Sequence, residues 1–125
     1  MISFESDYNN GTVPQIIERL AEANNQKTSG YGFDAFTEEA KTKIKEAVGM
    51  DNAEVFLLVG GTQTNTTVID SVLKGCEGVI TVETGHIAVH ESGAVEAFGH
   101  KVITLTGIDS KLKAETLEAY METFL

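Results

Sequence analysis

The sequence predicts an α/β fold built on a mostly parallel sheet, and three observations carry that expectation. Short apolar runs, each bounded by glycine or a turn, read as strands. Stretches of helical periodicity separate them. Polar, glycine-bearing blocks follow two of the runs directly, at the strand ends where open α/β sheets build their sites.

Taken in order, residues 13–26 place Ile16, Ile17, Leu20, Ala21 and Ala23 at helical spacing. Thr12 is the candidate N-cap, and Pro14 falls in the first turn, where its missing N–H costs nothing. Residues 28–36 form a loop rich in glycine and aromatic residues. Thr37 then opens a second helix with Ala40, Ile44, Ala47 and Val48 as its stripe and Gly49 as its stop. Residues 54–59 are nearly all apolar, as a strand covered on both faces is. Gly60 and Gly61 break that run. A helix over residues 62–73 turns Val68, Ile69, Val72 and Leu73 inward and stops at Gly75. Residues 78–82 and 100–105 are the second and third strands. Residues 113–125 form the last helix, with Leu117, Tyr120, Met121 and Phe124 on one side.

A chain of 125 residues suits one domain. With 42% hydrophobic and 22% charged residues it has the means to form a core and lies far from the composition of disordered chains. The formal charge of −10 repels nucleic-acid phosphates and anionic lipid, so neither is an expected partner. An anionic cofactor stays open, because a helix N-terminus binds phosphate through local N–H groups. The single cysteine, Cys76, allows no internal disulfide and is expected as a small buried residue. The N-terminus has no basic or apolar leader, and no run reaches membrane-spanning length, which together predict a cytoplasmic protein.

Four places can carry chemistry. The Gly60-Gly61-Thr62 turn lets backbone approach an anion at the start of a helix, with hydroxyls on Thr62 and Thr64. Glycine at such a place also serves simply to turn the chain. His86 follows Gly85 just past a buried strand, among Glu83, His90 and Glu91, which suits a proton-transfer group. A zinc reading of His86, His90 and Glu91 needs the order His-Glu-x-x-His, and Ile87 breaks it, so no metal is expected. Ser6 and Asp7 read as a turn or cap, and Tyr31 as a loop residue beside two glycines.

Several of these blocks match one family. Phe4-Glu5-Ser6-Asp7, Tyr31-Gly32-Phe33-Asp34, Gly60-Gly61-Thr62-Gln63-Thr64-Asn65, Glu83-Thr84-Gly85-His86-Ile87 and the pair His90-Glu91 together resemble the low-specificity L-threonine aldolases. These are fold-type-I enzymes of the beta-eliminating lyase family that use pyridoxal phosphate (PLP). The resemblance runs along nearly the whole chain yet covers only about the first third of such an enzyme. It implies that residues 1–125 are a single N-terminal fragment of a PLP-binding large domain. The fold would be a partial three-layer α/β/α architecture of the PLP-dependent aminotransferase type. The implied reaction is cleavage of threonine or allo-threonine to glycine and acetaldehyde, the cofactor serving as electron sink.

Residue by residue, the resemblance gives Gly60, Gly61 and Thr62 to the cofactor phosphate. It gives His86 a stacking place on the pyridine ring together with a part in proton transfer. Ser6 would contact the substrate carboxylate, with Asp7, His90 and Glu91 in support. Tyr31 would lie near the active site of a neighbouring subunit, which implies a homodimer or homotetramer. Tyr8 departs from the family, where Asn or Thr is common after the aspartate.

The family's Schiff-base lysine, the acidic partner of the pyridine nitrogen and the carboxylate-gripping arginine lie beyond the matched stretch. None of the lysines at 27, 41, 43, 45, 74, 101, 111 and 113 sits in a matching motif. The 125 residues by themselves are therefore expected to be inactive. The family's central strands also lie outside the stretch, so the three strands rearrange, or another chain fills the gap, or the chain is a remnant of a longer protein. The alternative to the lyase is a truncated, non-catalytic fragment that oligomerises through open sheet edges or binds phosphate.

Overall fold

A computed structural model describes residues 10–124 of the protein. The chain divides into two compact units, Met1–Phe56 and Leu57–Leu125.

The first unit holds two helices. Helix α1 (Pro14–Ala23) begins on Pro14, whose preset φ fits the first turn. Its N-cap is Val13, in an extended conformation and without a side-chain cap bond, so Thr12 does not cap it as expected. Ile16, Ile17 and Leu20 mark its apolar stripe, and all three remain exposed. Helix α2 (Ala35–Val48) starts ahead of Thr37, because Asp34 takes over the cap. The Asp34 carboxylate accepts the Thr37 backbone N–H at 2.9 Å and the Thr37 hydroxyl at 2.7 Å. Those two bonds, the hydroxyl first, lower the Asp34 pKa below the usual aspartate value. Gly49, at φ 66, ends α2 in the left-handed conformation that glycine adopts freely. The Arg19 guanidinium lies 5.8 Å from the Phe36 ring centre and ties the two helices.

Residues 54–59 are the main correction to the expected strands. The stretch forms no strand. A β-strand exists through its neighbours' N–H and C=O groups, and among the described residues no strand pairs with this stretch. Phe56, Leu57 and Val59 are consequently exposed, Val59 to 94%.

In the second unit, helix α3 (Gly61–Val72) follows the glycine turn. It ends where Leu73 becomes extended, so Gly75 lies beyond the helix and does not terminate it. Its inward residues are also fewer than the periodicity suggests. Ile69 and Leu73 are half-buried, whereas Val68 and Val72 are exposed. Cys76 is exposed, against expectation. It sits at φ 73 inside the turn closed by Lys74 and Glu77, where the chain has no cover.

Strands β1 (Gly78–Val82) and β2 (Lys101–Leu105) form a parallel two-stranded sheet, with Ile80 opposite Ile103 and Val82 opposite Leu105. Gly78 is required by close approach, because a Cβ there would lie 2.8 Å from the Lys101 carbonyl oxygen. Between the strands run the short helix α4 (His86–Val89) and a 3₁₀ turn, Glu96–Phe98. Helix α4 packs against both strands. Val95, in the same connection, is the one fully buried hydrophobic side chain among the described residues. Helix α5 (Ala114–Met121) runs into a 3₁₀ turn, Glu122–Phe124, where Tyr120 and Phe124 meet edge to face at 5.2 Å.

The sheet is thus parallel, as expected, but incomplete. An open apolar groove of about 400 Å³, lined by Ile69, Val79, Leu112 and Leu117 among others, marks its uncovered side. Among the described residues no helix is long and apolar enough to cross a membrane.

Candidate functional site

A parallel pair puts both carboxyl ends at one edge, and here Glu83 joins them. Its backbone N–H donates to the Leu105 carbonyl at 3.2 Å, and its carboxylate accepts the Gly107 N–H at 2.8 Å. Glu83 therefore serves the sheet edge, and no bond links it to His86 as the sequence neighbourhood suggested.

The chain then turns tightly at Gly85. A Cβ at this position would meet the Thr81 hydroxyl oxygen at 2.0 Å and the Val82 carbonyl oxygen at 3.0 Å, so only glycine fits. The turn delivers His86 to the first position of α4, beside the strand ends. The His86 side chain keeps 62% of its exposure, so its ring is open to a ligand.

Glu91 holds that ring from behind. Its Oε1 lies 2.7 Å from His86 Nδ1, and the carboxylate side chain is wholly shielded from solvent. The same oxygen accepts the Asn65 side-chain N–H at 2.6 Å. An ionised carboxylate accepts and does not donate, so Nδ1 is the donor in this pair, and in the neutral ring Nε2 holds the lone pair. His90 lies next to His86 with ring centres 5.2 Å apart and planes tilted by 51°, and it is exposed.

Asn65 belongs to α3, one turn after Gly61, so this bond connects the glycine turn to the histidine. The first N–H groups of α3 have no carbonyl within the helix to bond, and they carry its positive dipole end. A Cβ at Gly60 or Gly61 would meet no atom within 4 Å beyond the neighbouring residues and the helix's own backbone, so neither glycine is there to avoid a clash. Gln63 reaches back to accept the Val59 N–H at 2.9 Å and fixes the turn. The Thr64 hydroxyl is spent on the Gly60 carbonyl, which leaves Thr62 as the better hydroxyl donor for an anion.

Tyr31 lies in the first unit, fully exposed and at φ 62. A bulky residue at positive φ is strained, and such strain concentrates at functional positions. Ser6 and Asp7 lie outside the described residues. Among the described residues no group of three or more His, Cys, Asp or Glu side chains is placed to hold a metal.

Comparison with known proteins now bears on this arrangement. The family model described as beta-eliminating lyase matches residues 3–123. The chain belongs to the beta-eliminating lyase family. Among the relatives of this family member is the low specificity L-threonine aldolase of Pseudomonas sp. (strain NCIMB 10558). It is 32% identical over 111 residues, which are 87% of this chain and 32% of that protein. The low specificity L-threonine aldolase of Pseudomonas aeruginosa is 32% identical over 97 residues, 78% of this chain and 28% of its own length. The solved threonine aldolase of Leishmania major superposes with a TM-score of 0.88 at 37% identity, over 94% of this chain and 34% of that one. The chain carries an incomplete part of the fold of that enzyme and spans about a third of the length of these relatives.

Sequence reasoning missed Asn65 as a site residue, although it closes the Gly-Gly-Thr-Gln-Thr-Asn block. The available signal was spacing, since Asn65 lies one helical turn beyond Gly61 and so stays near the turn's end of α3. The pair Asp70 and His100 was missed as well. The His100 ring, 3% exposed at the head of β2, has its Nε2 2.9 Å from the Asp70 carboxylate on α3.

Proposed function

We propose that these residues are the cofactor-binding N-terminal part of a PLP-dependent lyase that cleaves β-hydroxy-α-amino acids, with threonine or allo-threonine giving glycine and acetaldehyde. The observation that carries the reading is the single line of contacts from the α3 turn through Asn65 and Glu91 to His86. It supports reading the start of α3 and the exposed imidazole as parts of one site. The residues present fit the two ends of the cofactor. Backbone N–H groups at Gly61 and Thr62, with the Thr62 hydroxyl, suit the phosphate, and the exposed face of His86 suits an aromatic ring.

Bound there, PLP would supply the electron sink for breaking the Cα–Cβ bond. The work of this chain's own residues is separate. His86 Nε2 is free to take the proton of the substrate β-hydroxyl, directly or through one water. Glu91 stabilises the imidazolium that forms, because a shielded carboxylate beside it offsets the new charge. Ser6 is assigned to orient the substrate carboxylate, with Asp7 and His90 supporting. Tyr31 is assigned to a neighbouring subunit's site in a homodimer or homotetramer.

A second reading has its own support. The apolar stretch of Phe56, Leu57, Leu58 and Val59 is uncovered, and no lysine lies in a matching motif. For a polypeptide limited to these 125 residues, that combination favours a non-catalytic module that binds phosphate or self-associates.

One experiment separates the readings. The intact mass of the native product is measured, and that product is assayed for glycine and acetaldehyde from L-threonine and L-allo-threonine, with and without PLP. PLP-dependent turnover supports the lyase. PLP or phosphate binding without turnover supports the module.

A further inference from the structure

We propose that Asn65 is a positioning residue that docks the first half of α3 and so sets the spacing between its anion-binding end and His86. The inference rests on the reading of those two places as ends of one cofactor site. Asn65 Nδ2 donates to Glu91 Oε1 at 2.6 Å, and the same carboxylate oxygen stands 2.7 Å from His86 Nδ1. The amide therefore joins the helix that follows the glycine turn to the connection that carries the histidine.

Apolar packing does little to fix α3. Thr66 is its one buried residue, and the Thr66 hydroxyl turns back to the Thr62 carbonyl. Ile69, Val72 and Leu73 line the open groove of about 400 Å³ whose other walls include Val79, Ile80 and Leu117. A helix with such a groove along its apolar side is not held to one position by close packing. Two polar contacts supply the position instead. Among the described residues, Asn65 and Asp70 are the two side chains of α3 that bond a distant part of the chain, Asn65 to Glu91 and Asp70 to His100. Both partners are buried, so leaving either contact unmade is costly.

The two contacts hold different parts of the helix. Along its axis Gly61 lies about 6 Å from Asn65 and about 14 Å from Asp70. Without the Asp70 contact, Asn65 still holds the start of α3. Without Asn65, the helix is held at its far part and the glycine turn swings furthest. A ligand that touches only the helix end is indifferent to that swing. A ligand that must reach both ends loses affinity, because it binds well only where the separation is set beforehand.

The test compares two probes on the full chain, inorganic phosphate and pyridoxine phosphate, followed by the backbone amide NMR signals of Gly61 and Thr62. Pyridoxine phosphate has the ring and phosphate of PLP without the aldehyde that reacts with lysines. The native protein is expected to bind it more tightly than phosphate. Asn65→Ala should weaken it by about tenfold, the scale of one hydrogen bond to a charged group, and leave phosphate affinity unchanged. Asn65→Gln keeps an amide donor on a longer arm, should recover part of the loss, and serves if the alanine variant does not fold. Asp70→Ala should preserve the ratio of the two affinities. Amide hydrogen exchange gives a readout without ligand. Asn65→Ala should speed exchange in the first half of α3 and leave β1 and β2 as they were. Alanine is the better helix former, so lost propensity cannot produce that change. Equal losses for both probes overturn the proposal, as does native exchange at the start of α3 in both Asn65 variants. Pyridoxine phosphate bound by native protein no more tightly than phosphate removes the one-site reading and the spacing role with it. A native preference for it that survives in Asn65→Ala removes only the role of Asn65.

Discussion

Glu91 Oε1 stands 2.7 Å from His86 Nδ1, and the Glu91 side chain has no solvent exposure at all. In the lyase reading this pair should behave as a unit. Glu91→Gln keeps the shape and removes the charge that stabilises a protonated ring. In an active product containing these residues, kcat for threonine cleavage should fall by about 10²-fold, the scale of a positioned acid–base contribution. KM should change far less. Steady-state kinetics check this, and an unchanged kcat would remove His86–Glu91 from the proton path.

The Gly85 turn should tolerate no side chain. Gly85→Ala drives a methyl group into Thr81 and the Val82 carbonyl, and overpacking of this kind costs about 1–3 kcal/mol. Gly11→Ala, at a site with open space and no positive φ, is the matched control and should be near neutral. Urea unfolding of both variants is the measurement.

Phosphate affinity should respond to the Thr62 hydroxyl. Thr62→Val preserves the shape and deletes the donor, and one hydrogen bond to a charged group corresponds to about a tenfold or greater loss of affinity. Titration calorimetry with PLP checks it. Thr64→Val should have a smaller effect, because the Thr64 hydroxyl already bonds the Gly60 carbonyl.

Helix α2 should lose its cap in acid. The Thr37 hydroxyl and backbone N–H depress the Asp34 pKa relative to the unfolded chain. The unfolded state thus binds the proton more readily. The contribution of Asp34 is fully present above the ordinary aspartate value and is lost as pH falls through the lower, folded value. Asn is an equally good N-cap and does not titrate, so Asp34→Asn should remove this component of the acid transition. A carboxyl-carbon NMR titration of Asp34, with helicity followed by circular dichroism, tests the sign.

The buried His100 depends on Asp70. Asp70→Ala leaves ring nitrogens buried and unpaired, since Nδ1 already has no partner among the described residues. The expected cost is about 1–3 kcal/mol. Combining it with His100→Phe should cost less than the sum of the two single changes, which a double-mutant cycle measures.

Much of this was legible in the residue order, and particular elements show why. Pro14 at a helix start and Gly49 at a helix end state their local conformation through backbone chemistry alone, and the apolar run 78–82 reads as a strand that its partner 101–105 completes. The glycine turn and His86 could be named as candidates because each follows an apolar run where a strand should end. The stretch 54–59 reads as strand just as clearly, yet it forms none, because strand hydrogen bonds belong to a pair of segments. Cys76 was expected inside, but no residue type can bury itself without something to cover it.

By itself the sequence determined the periodic elements, the parallel character of the strand pair and the membership of a lyase family through contiguous motifs. The elements and motifs depend on neighbours within a few positions, and the parallel pairing on the crossover connection between its two strands. Only the tertiary structure decided that Asn65 reaches Glu91, that Glu91 holds His86 by Nδ1, and that Asp70 meets His100. Those contacts join residues on separate elements, and their geometry follows from how the elements pack, which no local pattern encodes.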